Sequence, residues 1–200
     1  MKRDAYQGLI SWKNSERRKP LLLRGARQTG KTYLLLEFGK QEYEQVHYFN
    51  FEEVPGLGQF FEKNLDPRRI LSDLAIYSKA QIRSPKDLII FDEIQTSNAA
   101  LNSLKYFQEQ APEYHVAAAG SLLGVKLSSP GSFPVGKVNF LDLHPLSFWE
   151  FLDALGESRY RKVLEETEDF HSYAEPFHRD LIDLLHQYYF VGGMPEAVQC

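Results

Sequence analysis

The apolar positions of this chain fall into short blocks that alternate in kind. Leu21-Leu22-Leu23 is a continuous apolar run directly after Pro20, and it predicts a short buried strand. TYLLLEFGKQEY, Thr32 to Tyr43, reads as a helix whose end Gly39 weakens. VHYFNF, Val46 to Phe51, reads as a strand. Asp66 followed by Pro67 is a helix start, an N-cap residue and then proline in the first turn. Ile70, Leu71, Leu74 and Tyr77 line one side of that helix. LIIF, Leu88 to Phe91, is apolar on both faces, as in a parallel sheet covered from both sides. A helix from Ala99 to Gln110, a strand of small residues from His115 to Ala119 and a strand from Val138 to Leu141 follow. Strands alternating with helices predict an α/β fold with a parallel sheet.

The last third changes character. Ser147-Phe148-Trp149-Glu150 is a capping box, and Phe148, Phe151, Leu152 and Leu155 recur at helical spacing. A second helix is expected from Asp180 to Val191, striped by Leu181, Leu184, Leu185 and Tyr188 and stopped by Gly192-Gly193. Trp149, Tyr188, Tyr189 and Phe190 fall in these stripes and are expected in the core. The shift gives two expected domains, residues 1–146 and residues 147–200. Met194-Pro195-Glu196-Ala197-Val198 has the form of a further helix opening, so the second domain is expected to be truncated.

Composition narrows the function. Hydrophobic residues make up 43% of the 200, enough for a full core. The net charge of -4 argues against a binder that neutralises nucleic-acid phosphates, so nucleic acid is not indicated as a partner. The basic cluster Lys13, Arg17, Arg18 and Lys19 reads as a solvated loop, or else as a contact for nucleic acid or a protein. The lone cysteine, Cys200, allows no internal disulfide and no cysteine-held zinc. No apolar run resembles a signal peptide or a membrane span, so a soluble, cytoplasmic protein is expected. No two histidines stand four apart; His171, His178 and His186 could share a helix face and read as solvated.

One block carries chemistry. Gly25-Ala26-Arg27-Gln28-Thr29-Gly30-Lys31-Thr32 matches G-x-x-x-x-G-K-[ST] between an expected strand and an expected helix. The strand fixes the loop's start, the glycines let backbone N–H groups approach a phosphate, and the helix adds its positive dipole end. Lys31 supplies a charge for β and γ phosphates, and the Thr32 hydroxyl is a ligand for Mg²⁺. Asp92-Glu93 ends the LIIF strand, and two carboxylates there are costly without a cation or solvent. In that setting Asp92 holds Mg²⁺ and Glu93 polarises the attacking water. Ser121, after the small-residue strand, is a candidate for sensing the γ-phosphate.

GARQTGKT, LIIFDEIQ, AAAGSLLG, LHPLSFWEFL and GGMPEAV, in that order, resemble prokaryotic ATP-binding proteins of the AAA+ superfamily. These usually carry a C-terminal domain of unknown function. The resemblance implies a P-loop NTPase three-layer sandwich with a five-stranded parallel sheet of order 5-1-4-3-2, followed by a partial helical lid. It implies sensor-1 duty for Ser121, an adenine contact for Pro195, and a lid beginning near residue 147. Arg68 and Arg69 are candidates for an arginine finger only as exposed-looking arginines. The leading expectation is a Mg²⁺-dependent ATPase with ATP and ADP as substrate and product, working as a homo-oligomer or with a protein partner. The alternatives are a nucleotide-dependent switch or scaffold with negligible turnover, and a DNA-directed motor.

Overall fold

The computed structural model describes residues 1–121, 136–167 and 173–199. His171, Cys200 and the end of the AAAGSLLG block lie outside them. Contacts divide the chain into two compact units. The larger holds Ala5–Arg27 and Lys31–Leu143; the smaller holds Met1–Asp4, Gln28–Gly30 and His144–Cys200.

The larger unit is a parallel sheet between helices. Its strands are β1 (Leu21–Gly25), β2 (Gln45–Asn50), β3 (Asp87–Asp92), β4 (His115–Ser121) and β5 (Asn139–Leu143). The five lie in the order β2-β3-β4-β1-β5, the expected order read from the other edge, and all pairings are parallel. The helices are α1 (Ala5–Lys13), α2 (Lys31–Glu42), α3 (Gln59–Glu62), α4 (Pro67–Ser78) and α5 (Asn98–Gln110). Successive strand residues face opposite sides, so continuous apolar runs serve two cores. Leu21, Leu23, Leu88 and Ile90 pack with Leu9 and Trp12 of α1 and Leu34, Leu35 and Phe38 of α2. Leu22, Ile89 and Phe91 pack with Phe61 of α3, Ile70 and Leu74 of α4 and Leu104 and Phe107 of α5. The small residues of β4 are buried from His115 to Gly120 and leave room for large neighbours on both faces. Asp66 caps α4 through the Arg68 N–H at 3.0 Å, as its sequence predicts. Tyr77 departs from expectation: it is exposed and rests on the Phe60 ring.

Gly39 does more than weaken a helix end. It lies inside α2, where an added Cβ would stand 2.5 Å from Val46 Cγ2 and 3.2 Å from Leu88 Cδ2. Its missing side chain lets α2 approach the sheet. Most of the basic cluster is tied down. Lys13 donates to the Glu42 carbonyl at 2.5 Å, Arg18 to the Pro112 carbonyl at 3.2 Å and Lys19 to the Gly136 carbonyl at 2.6 Å.

At the start of β4, His115 is buried against the edge of Trp12. The Tyr43 hydroxyl donates to its Nδ1 at 2.7 Å; burial keeps that phenol protonated. Burial, with the Arg18 and Lys13 charges nearby, pushes His115 from 6.5 down to about 4. The unfolded chain therefore takes up this proton more readily than the folded one. Stability from this group is complete above pH 6.5 and is lost as pH falls toward about 4, amounting to about 3 kcal/mol. Melting followed across that window should show a smaller acid loss for His115→Gln than for the unaltered chain. Equal losses would remove His115 as the cause.

The smaller unit is helical: α6 (Phe148–Ala154), α7 (Ser158–Glu166), α8 (Glu175–Val191) and α9 (Pro195–Gln199). Leu152, Tyr160 and Leu181 form its core, flanked by Phe148, Leu164, Phe177 and Leu184. α8 starts at Glu175, ahead of the expected Asp180, because Pro176 suits a first helical turn. Tyr188 packs on Phe148 and Phe151 and donates to the Leu146 carbonyl at 2.8 Å. Tyr189 and Phe190 are 73% and 94% exposed and are not core, contrary to the sequence expectation. Each helical step turns about 100°, so the residues after Tyr188 face away from that packing. Trp149 is also exposed, although its ring touches Phe148.

Candidate functional site

β1 ends at Gly25, where the apolar run gives way to the glycine loop, and α2 begins at Lys31. Between them Gln28 and Gly30 take positive φ values of 63° and 88°. Such turns aim successive N–H groups at one place, an arrangement suited to anions. Lys31 is buried; its ammonium donates to the carbonyls of Gly25 at 3.2 Å and Ala26 at 2.7 Å. Burial lowers its pKa, the carboxylates of Glu93 and Asp92 hold it up, and Arg27 lowers it. Ala26, Arg27 and Gln28 are exposed, while Thr29 is buried.

Asp92 is the convergence point. It ends β3 with 2% exposure. The Thr32 hydroxyl donates to its Oδ2 at 2.7 Å, and the Tyr48 hydroxyl donates to the same oxygen at 2.8 Å. Its Oδ1 accepts the Glu93 N–H at 2.9 Å. Burial and the Asp92 carboxylate raise the Tyr48 pKa, so the phenol stays a donor. Asn50 stands opposite Asp92 across the β2–β3 pair and donates to the Tyr48 hydroxyl at 3.2 Å. Tyr48 was not singled out from sequence, because VHYFNF shows only strand alternation. A hydroxyl and a carboxylate are hard oxygen donors, and they fit Mg²⁺, which keeps several waters beside a few protein ligands.

Glu93 follows in the left-handed conformation, with φ 50° and ψ 40°. A glutamate there carries a strain of about 1 kcal/mol, the kind of cost retained where a side chain must be aimed. The Gln95 amide donates to Glu93 Oε2. Ser121 ends β4 in register with Gly25, beside the start of the loop. Within the smaller unit, Pro195 Cγ lies 3.8 Å from where a Cβ on Gly30 would stand. Arg69 is engaged with Asp73 at 2.6 Å and with the Phe60 carbonyl; Arg68 is paired loosely with Glu113 at 3.7 Å. Arg69 is thereby committed to its own helix and loop.

Residues 17–152 match the family described as the AAA domain. The chain belongs to that family. No curated protein matches it. Many solved structures are similar to this AAA domain, among them the three that follow. A Walker-type ATPase of Pyrococcus abyssi is 17% identical with a TM-score of 0.55, covering 98% of this chain and 64% of that one. Drosophila ORC bound to DNA is 18% identical with a TM-score of 0.56, covering 96% and 57%. A RuvB variant of Thermotoga maritima is 14% identical with a TM-score of 0.54, covering 98% and 56%. The AAA domain thus spans less than two-thirds of the length of each. Its fold is that of a P-loop NTPase with flanking helices, which suggests nucleotide binding. Among the described residues, no helix is long and apolar enough to cross a membrane.

Proposed function

We propose that this chain binds ATP with Mg²⁺ and hydrolyses it to ADP and phosphate, as the nucleotide-driven module of a larger cytoplasmic protein or homo-oligomer. The observation that supports this best is the Thr32 hydroxyl on Asp92 Oδ2 at 2.7 Å. Residues far apart in sequence meet there, and Thr32 directly follows Lys31. Gly25 to Thr32 hold the phosphates through backbone N–H groups and the Lys31 ammonium. Thr32 and Asp92 hold Mg²⁺. When bound, that ion neutralises phosphate oxygens and acts as a Lewis acid. Glu93 takes a proton from the attacking water as the bond from the γ-phosphorus to its leaving oxygen breaks. Ser121 senses the γ-phosphate, Pro195 borders the adenine, and residues 147–200 begin a helical lid.

A second reading is a nucleotide-held switch with negligible turnover. The Gln95 amide on Glu93 favours it, since an occupied carboxylate oxygen is a poorer proton acceptor. Phosphate release from Mg·ATP, measured at several protein concentrations beside equilibrium binding, separates the readings. Specific activity that rises with concentration would mean a site completed by a neighbouring subunit. Constant specific activity would mean a self-sufficient ATPase. Tight binding without turnover would establish the switch. Absence of binding would overturn both.

A further inference from the structure

Arg3 stands in MKRDAY, a stretch with three charged residues and no apolar run. It is nonetheless only 8% exposed. Its Nε donates to Glu150 Oε1 at 3.0 Å, its Nη1 to the Thr29 carbonyl at 2.7 Å and its Nη2 to the His144 carbonyl at 2.6 Å. Glu150 Oε1 also accepts the Asp4 N–H at 2.8 Å, while Oε2 accepts the Ser147 N–H at 3.0 Å in the capping box. All these residues belong to the smaller unit. One guanidinium therefore joins the chain start, the glycine loop and the start of α6.

Stability alone does not require this arrangement. A buried ion pair can be exchanged for apolar side chains of similar volume with little loss. The bond to Thr29 is the informative one. The Thr29 carbonyl and the Gly30 N–H belong to the same peptide plane, and in a trans peptide they point in opposite directions. Holding the carbonyl on Arg3 therefore turns the Gly30 N–H away from Arg3. Gly30 then takes its φ of 88° and leads into Lys31. Arg3 is no ligand for the nucleotide itself: Glu150 balances its charge, and its side chain is enclosed.

We propose that Arg3 is a positioning residue of the nucleotide site. By gripping the Thr29 carbonyl it aims the Gly30 N–H at a phosphate, and Glu150 anchors that grip to the start of α6. The proposal rests on the reading of Gly25 to Thr32 as a phosphate loop.

The test uses the whole chain, with ADP as probe and melting temperature as control. Arg3→Met with Glu150→Gln removes both charges, and a glutamine at the third helical position still serves the capping box. This double variant is expected to melt near the unaltered chain yet bind ADP about tenfold more weakly. The Gly30 amide resonance should also shift in the nucleotide-free protein. A purely structural Arg3 predicts that restored melting restores affinity. Unchanged ADP affinity in the folded double variant overturns the proposal. If the double variant does not fold, Arg3→Lys decides. It keeps a cation beside Glu150, but one ammonium cannot reproduce the planar fork. Weakened ADP binding at an unaltered melting temperature supports the proposal, and full affinity overturns it. ADP binding by the unaltered chain, lost in Lys31→Ala, is the reference. Its absence there would defeat the phosphate-loop reading, and the proposal with it.

Discussion

Lys31→Ala is expected to cost this chain most of its affinity for nucleotide while leaving it folded. The Lys31 ammonium is buried, yet it donates to carbonyls of its own loop, Gly25 and Ala26, rather than to a carboxylate. Carbonyls satisfy the donors without cancelling the charge, so the cation stays available to phosphate oxygens. Exchanging carbonyl partners for phosphate makes charge-assisted bonds of about 1.5–3 kcal/mol each. Removing the ammonium should weaken ADP or ATP binding by about two orders of magnitude or more. Titration calorimetry with and without Mg²⁺ reads this directly. An affinity equal to that of the unaltered chain would sink the phosphate-loop assignment. The melting temperature should hold or rise slightly, since a desolvated cation is removed from the apo protein.

Glu93→Gln is expected to keep binding and lose turnover by about a hundredfold to ten-thousandfold. The left-handed backbone at Glu93 does not depend on the carboxylate charge, and its N–H contact with Asp92 Oδ1 is unaffected by the change. Thr32 and Asp92 are likewise untouched, so Mg·ATP should bind as before. Glutamine cannot accept the proton that the attacking water must lose. Single-turnover phosphate release separates this from a binding defect, because all the enzyme starts with nucleotide bound. Ordinary turnover in Glu93→Gln would give the base to another group. Weakened binding would mean that Glu93 serves the metal instead.

The sequence carried the sheet and the convergence at its C-terminal edge. Leu21–Leu23 and Leu88–Phe91 are continuous apolar runs, and strands with helices on both sides need such runs. The spacing of Lys31, Thr32, Asp92 and Glu93 could be read because strand ends in such folds gather at one edge. What escaped was whatever lacks a local pattern. Arg3 and Glu150 are 147 positions apart, and nothing in MKRDAY distinguishes a buried arginine from a solvated one. The capping box revealed the Oε2 half of Glu150 but not the Oε1 half. α7 buries only Tyr160 and is anchored by Arg161, which reaches Asp4, Asp153 and Glu165; a helix held by ion pairs leaves little hydrophobic stripe. Tyr189 and Phe190 failed in the opposite sense, since their place beside the helical stripe suggested burial where helical rotation turned them outward.

Gly39 has a meaning for redesign. Replacing an interior helical glycine with alanine commonly gains about 1 kcal/mol, and a propensity-guided design would change this one first. Here the new methyl would press on Val46 inside van der Waals contact, so either the Val46 side chain turns aside or α2 lifts from the sheet. Lys31 and Thr32 open that same helix. Where the helix is what yields, Thr32 moves with it and loses its reach to Asp92; the sturdier helix is then the worse-placed one.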